Sequence, residues 1–411
     1  MNKLLSKKDS LQVFLNYSVA SSAFMQLVFT VNLIYFVTEA GLNPLQMVLV
    51  GTTLELAVFL FEVPTGVVAD TISRRLSIII GVMLIGCGFL VQALLANFYW
   101  ILLAQILWGI GYTFTSGALQ AWISDEIGEE RAASAFLHAT QLEQIGALIA
   151  VGISGLLASV WRLQLPMLLG GILFWFLGVY LMIFMPESGF SKPSQENKTS
   201  VQSMMITLKL GFSMLKKRPT LIKILLIGFF FGFYSEGLDR LWVPHVLDRF
   251  QLPNQRQLIM VSWVAGVKSA SMVMTFFTAA IVRRFFGEKA SQKRILNAIL
   301  GMSALLVSAI IIFAVSGNIW LTLIVFVFIS VLRDLIYPLY TAWVNYRLDS
   351  GSRATVLSMS SLVDAFGQIG GGPIIGVIAQ QASIQIGLLG SALLLSPVLF
   401  FLKNNQLRDE E

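Results

Sequence analysis

Ten ionisable side chains stand inside stretches that are otherwise almost wholly apolar: Glu55, Glu62, Glu143, Glu236, Asp239, Arg240, Lys268, Arg333, Asp334 and Asp364. In hydrocarbon each such group costs at least ~2.5–3.5 kcal/mol, so each needs a partner or a task. A carboxyl group buried without a cation favours its protonated form, which suits it to take up and release a proton. Other chemistries lack their residues. The chain has two histidines and one cysteine, Cys87, so neither an intrachain disulfide nor a zinc site is expected. No Gly-rich phosphate loop and no nucleophile motif is found, so no cofactor is called for and the chain reads as no enzyme.

The elements that must hold these charges are membrane spans. Of 411 residues, 56% are hydrophobic and only 12% charged, about half the charged fraction of an ordinary soluble chain. Windows of about 20 apolar residues match ~30 Å of hydrocarbon. Twelve helices are expected, over 12–38, 44–69, 76–96, 98–124, 134–159, 164–185, 219–246, 257–284, 294–315, 318–346, 353–381 and 384–402. Odd-numbered gaps such as "EAGLNP", "ANFYW" and "SGNIW" carry no Lys or Arg, whereas even-numbered gaps are basic; the seventh gap, with Arg249 and Arg256, is the exception. The positive-inside rule then places both termini and the even gaps in the cytoplasm. The net charge of +6 lies largely in these loops and does not signal nucleic acid.

Orientation suggests partners. Helices 7 and 8 run antiparallel, which brings Glu236 and Lys268 to similar depth. Helices 10 and 11 do the same for Arg333 and Asp364. Asp239 and Arg240 read as a local solvated pair near the outer face. Asp125 and Glu126, at the cytoplasmic end of helix 4, are expected to be solvated or paired with Arg131. Glu55 and Glu143 have no evident basic partner in their half of the chain. Glu143 is the favoured proton carrier: it lies about 18 Å along helix 5 from Arg131 by the helical rise, with Gln141, Gln144 and Gly146 on a polar face nearby.

The polar run Pro186–Ser200 reads as a flexible linker, followed at 201–218 by a basic, apolar segment suited to the inner interface. The chain thus divides into a first bundle (1–185), a linker (186–218) and a second bundle (219–411). The halves echo each other. Ala121-Trp122 precedes "ERAASAFLHATQLEQIG", and Ala342-Trp343 precedes "SRATVLSMSSLVDAFGQIG". Parallel six-helix repeats of this kind belong to a secondary-transporter architecture.

The stretch "FEVPTGVVADTISRR" carries the strongest pattern. Gly66, Asp70, Ser73, Arg74 and Arg75 resemble the loop signature of the major facilitator superfamily, with Ser73 where the second Gly is usual. The preceding "EVPTG" is similar to bacterial drug-exporting members. The resemblance implies an all-α fold of two six-helix bundles. It also implies a cytoplasmic gate in which Gly66 allows close packing, Asp70 meets the start of helix 11 near Arg353, and Arg74 and Arg75 face the anionic inner leaflet. Two exporter signatures are altered: Gln105 stands where proton-driven members often have Arg, and helix 5 keeps Gly146, Gly152 and Gly155 without a proline. A glycine-rich run appears instead in helix 11, where Gly367, Gly371, Gly372 and Gly376 would allow tight packing and Pro373 a bend.

Together these features imply a monomeric, proton-coupled exporter of small amphipathic compounds in a bacterial cell membrane. The solute would bind near mid-membrane, between halves that rock for alternating access. Proton-independent uptake, metabolite or lipid export, and a non-transporting receptor stay open as alternatives.

Overall fold

The apolar runs fold as the sequence leads one to expect: all regular structure among the described residues is helical, and twelve helices are long and apolar enough to cross a membrane. The computed structural model describes residues 7–190, 219–250, 257–285, 291–346 and 350–407. The interior of the expected linker, 191–218, including the segment expected along the interface, lies outside the described residues.

The first six spans comprise α1 (Lys7–Phe29) with α2 (Asn32–Thr38), α3 (Pro44–Thr71), α4 (Arg74–Leu94), α5 (Phe98–Thr115) with α6 (Ala118–Ile127), α7 (Glu129–Val160) and α8 (Gln164–Phe184). The second six comprise α9 (Pro219–Arg249), α10 (Gln257–Phe285), α11 (Gln292–Val315), α12 (Ile319–Tyr346), α13 (Ser350–Gln381) and α14 (Ile384–Leu395) with α15 (Pro397–Leu407).

Three spans expected to be continuous are interrupted. In the first, the Thr30 hydroxyl donates to the Gln26 carbonyl at 2.7 Å and Val31 N–H reaches back only to Val28, a local tightening of the ladder. In the fourth, Gly117 takes φ +66° between α5 and α6, a left-handed turn that suits a residue without Cβ. In the last, Pro397 brings no N–H to the ladder and α14 stops at Leu395. Helix starts at the gaps are capped by polar side chains. Ser73, Asn97, Ser291 and Ser383 each accept a backbone N–H from the first turn that follows.

The described residues fall in two compact units. One is drawn from Met1–Gly41, Thr53–Met204 and Asn254–Ala265, the other from Leu42–Thr52, Met205–Pro253 and Gly266–Glu411. In the first, α1 packs on α7 and α8, and α4 on α5 and α8. Gly81 and Gly111 bring α4 and α5 so close that a Cβ on Gly111 would lie 2.6 Å from the Gly81 carbonyl oxygen. In the second, α9 packs on α13 and α14, and α11 on α12 and α14. Trp122 and Trp343, the aromatics of the repeated pattern, are both fully buried.

The helix 11 glycines serve two contacts within the second unit. Gly367 and Gly371 abut the α9 backbone at Phe229 and Phe233. Gly372 and Gly376 face Val48. Pro373 stands inside α13, which continues through it to Gln381.

Candidate functional site

Two constellations gather the polar residues, one in each unit. In the first unit the loop signature lies at the junction of α3 and α4. Ser73 caps α4 by accepting the Leu76 N–H at 2.9 Å, and its hydroxyl donates to Glu187 at 2.7 Å. A glycine at this position would provide neither bond. The Arg75 N–H donates to the other Glu187 oxygen at 2.9 Å, and its guanidinium to the Met182 carbonyl at 2.6 Å. Arg74 donates to the Asp125 carboxylate and, at 2.8 Å, to the Ala121 carbonyl. Arg74 and Arg75 therefore tie α4 to the ends of α6 and α8, bonds that a reading of the pair as leaflet-facing cations does not include. Asp125 pairs with Arg74, not Arg131.

Glu126 is buried, at 3% exposure. It accepts the Ser188 and Gly189 N–H groups at 2.6 and 2.7 Å and the hydroxyls of Ser10 and Ser188 at 3.2 and 2.7 Å. This corrects the expectation of a solvated side chain: the carboxylate has four neutral donors instead of water. Gly66 does not mark a close approach, since a Cβ there would meet nothing within 4 Å. Asp70 is exposed in the last turn of α3.

Other expected acids of this unit are dispersed. Glu55 is half-buried in α3, and Glu62, two turns further along the same face, accepts the Ser116 hydroxyl at 3.3 Å. Glu143 is half-buried on α7. Its backbone carbonyl accepts the Ser22 hydroxyl at 3.1 Å, and it lies within electrostatic reach of buried Tyr17. Gln105, in place of the usual arginine, donates to Gln92 at 3.2 Å, a buried and uncharged pair linking α5 to α4. Between spans, Glu39 accepts Gln164 Nε2 at 2.5 Å. Burial raises its carboxyl above the usual range, opposed by nearby Arg162 and by the Gln164 bond.

The second constellation lines a cavity of about 940 Å³ within the second unit, among α9, α12 and α13. Arg333 on α12 meets Asp239 on α9 through both guanidinium NH₂ groups, with Nη2 to Oδ2 at 2.7 Å. The fork geometry fixes both side chains more firmly than a single bond would. The same guanidinium lies 5.9 Å from the centre of the Tyr234 ring. Asp364 on α13 accepts Gln368 Nε2 at 2.8 Å, and Asp334 on α12 accepts the Thr275 hydroxyl at 2.8 Å. Tyr340 donates to the Ile224 carbonyl at 2.8 Å and lies 3.2 Å from the Ser360 hydroxyl.

Three expected pairings change here, for Asp239 and Arg240 each bond elsewhere instead of forming the expected local solvated pair. Arg333 takes Asp239, and Asp364, although in the same cavity, takes Gln368. Glu236, at 3% exposure, takes Arg240 one turn along its own helix at 2.7 Å rather than the expected Lys268. An i,i+4 neighbour is already within reach without ordering a second helix. Lys268 is half-buried on α10. The tertiary partners of Asp239, Asp125, Glu126 and Glu187 had no local signal: Asp125, Glu126 and Glu187 lie near helix ends without an adjacent basic residue, and Asp239 stands beside Arg240 but bonds elsewhere.

Gly232 is what seats Asp364. A Cβ at 232 would stand 2.8 Å from the Asp364 carbonyl carbon and 3.1 Å from its Cα, so the missing side chain lets α13 lie directly on α9. Among the described residues no group of three or more His, Cys, Asp or Glu is arranged to hold a metal ion.

Residues 13–372 match the family described as Major Facilitator Superfamily. The chain is 24% identical over 413 residues to the uncharacterized MFS-type transporter YxaM of Bacillus subtilis (strain 168), covering 98% of this chain and 97% of that one. Among solved structures, the nucleoside transporter NupG superposes with a TM-score of 0.77 at 14% identity, covering 96% of this chain and 98% of that one. A bacterial homolog of the human lysosomal transporter Spinster gives 0.71 at 14% identity, covering 98% and 95%. A POT family transporter gives 0.73 at 13% identity, covering 97% and 96%.

Proposed function

The chain belongs to the major facilitator superfamily and is a membrane transporter, not an enzyme; on that premise we propose that it is a proton-coupled secondary transporter that exports a small amphipathic solute. The solute site is the cavity around Arg333. The observation that carries this reading is the charge arrangement there: three carboxylates, Asp239, Asp334 and Asp364, share a lining with one guanidinium. Arg333 satisfies Asp239, while the bonds described for Asp334 and Asp364 come from neutral donors. Two acids in membrane spans that lack a full countercharge are suited to exchange protons during a transport cycle. Coupling through these acids would replace the arginine that is absent at Gln105.

Export follows from the likeness of "EVPTG" to exporting members. The basic even gaps support cytoplasmic termini in a bacterial cell membrane. The cycle is alternating access by a monomer. The polar lining favours one second reading, uptake of a hydrogen-bonding metabolite, because Tyr340, Ser360 and Gln368 offer donors and acceptors that a purely apolar solute would leave unmatched. NupG, a fold neighbour, is itself a nucleoside transporter.

The test is flux in proteoliposomes of the full chain under an imposed pH gradient. Solute moving opposite to the proton gradient supports export by exchange. Movement with the protons favours uptake, and flux indifferent to the gradient refutes coupling.

A further inference from the structure

We propose that the solute held in the second unit's cavity is an organic cation, an amine or quaternary ammonium carrying aromatic or aliphatic groups. This rests on the reading of that cavity as the transport site. Its charged lining consists of Asp239, Asp334 and Asp364 against Arg333, a formal charge of −2 when all are ionised. Arg333 is no free cation for an anionic solute, because two of its nitrogens already meet the two Asp239 oxygens. An anion entering here would face Asp334 and Asp364 with no positive group to receive it. Among the described residues, a neutral solute would leave the two carboxylates with the amide of Gln368 and the hydroxyl of Thr275 as their donors. A cation supplies what both lack.

The aromatic lining gives the same sign. Tyr234 already holds a guanidinium over its ring at 5.9 Å, which shows its face turned to positive charge. Phe231, Tyr337 and Tyr340 add further rings to the lining, and Tyr337 is 71% exposed. Ring faces and carboxylates together attract cations and repel anions. About 940 Å³ admits a drug-sized molecule.

The experiment is equilibrium binding to the purified full-length protein in lipid nanodiscs. The probes are tetraphenylphosphonium, its anionic isostere tetraphenylborate, and neutral triphenylphosphine oxide. Saturable binding of the cation, at least about tenfold tighter than the neutral probe, is expected, with no saturable binding of the anion. Asp334→Asn and Asp364→Asn should each weaken the cation by about tenfold and leave the neutral probe unchanged, while Glu143→Gln leaves both unchanged. The isostere series on the wild-type chain needs no variant, so it decides even if the substituted proteins fail to fold. Equal affinity for cation and neutral probe, or full cation affinity in a folded protein carrying both Asp334→Asn and Asp364→Asn, overturns the proposal. If pH-driven flux of a neutral compound persists while no cation binds, the cation class fails and coupled transport stands. If no compound moves under a pH gradient, it is the reading of coupled transport that fails.

Discussion

Gly371→Ala tests the packing that seats Asp364. A Cβ at this position would stand 2.7 Å from the Phe233 carbonyl carbon and 2.8 Å from its Cδ2, with the carbonyl oxygen nearer still. Ordinary contact begins at 3.4 Å, so clearing the carbonyl carbon alone moves α13 from α9 by ~0.7 Å, and clearing its oxygen by more, in a close-packed interface. The ring of Phe233 can rotate, but its backbone carbonyl cannot step aside without the helix. Overpacking of this kind costs about 1–3 kcal/mol, of which the better helix propensity of Ala returns at most ~1 kcal/mol. We expect a net loss of about 1–2 kcal/mol, read as a fall of several degrees in the apparent melting temperature at a fixed scan rate. Gly370→Ala is the internal control. Its nearest neighbour would be Phe233 Cε2 at 3.5 Å, an ordinary contact, so its melting temperature should stay level or rise. Gly371 lies two turns beyond Asp364 on the same helix, so the displaced helix should also reduce flux. Equal melting temperatures for Gly371→Ala and the wild type would refute the packing argument.

Other perturbations follow from the same contacts. Arg333→Met and Asp239→Asn should each destabilise the second unit by about 1–2 kcal/mol, less than the 3–5 typical of a fully buried pair, because the side chains are 27% and 42% exposed. The double substitution should recover much of that loss; additive losses in the cycle would show that the two do not act as a pair. Asp70→Asn should cut flux sharply at normal expression and membrane insertion, and wild-type flux at matched expression would remove Asp70 from the gate. At Glu39 the folded pKa is raised, mainly by burial, so its charged form costs stability above that pKa and the cost is relieved as pH falls through it. Glu39→Gln should therefore raise the melting temperature slightly at neutral pH, by an equivalent of about 0.5 kcal/mol or less, with no difference at low pH.

The spans were legible because length and apolar content alone decide whether a helix can cross hydrocarbon. Their interruptions were not, since Thr30 and Gly117 are unremarkable in a hydropathy window and act through local backbone geometry. The charged residues were legible as a set, for any acid in a span needs an explanation. Their partners were less so. Depth placed Arg333 level with Asp364, but depth alone does not say which face of each helix turns toward which neighbour, and Asp239 was nearer in the required direction. The loop signature was found from spacing. That Arg74 and Arg75 bond to Asp125 and Glu187, at more than forty residues' remove, depends on how α6 and α8 end beside α4. Ser73 was read as a departure from the pattern, yet its hydroxyl both caps α4 and holds Glu187.

The central claim is that the acids beside Arg333 exchange the coupled proton. The most direct measurement compares two fluxes in proteoliposomes at saturating solute: accumulation driven by a pH gradient alone, and exchange at equilibrium. It is made for the wild type, Asp334→Asn, Asp364→Asn and Glu143→Gln. The account predicts that at least one of the two cavity variants loses gradient-driven accumulation while keeping exchange, and that Glu143→Gln keeps both. Loss of accumulation in Glu143→Gln, with both cavity variants still concentrating solute against its gradient, would place the proton on α7 in the first unit and contradict the account.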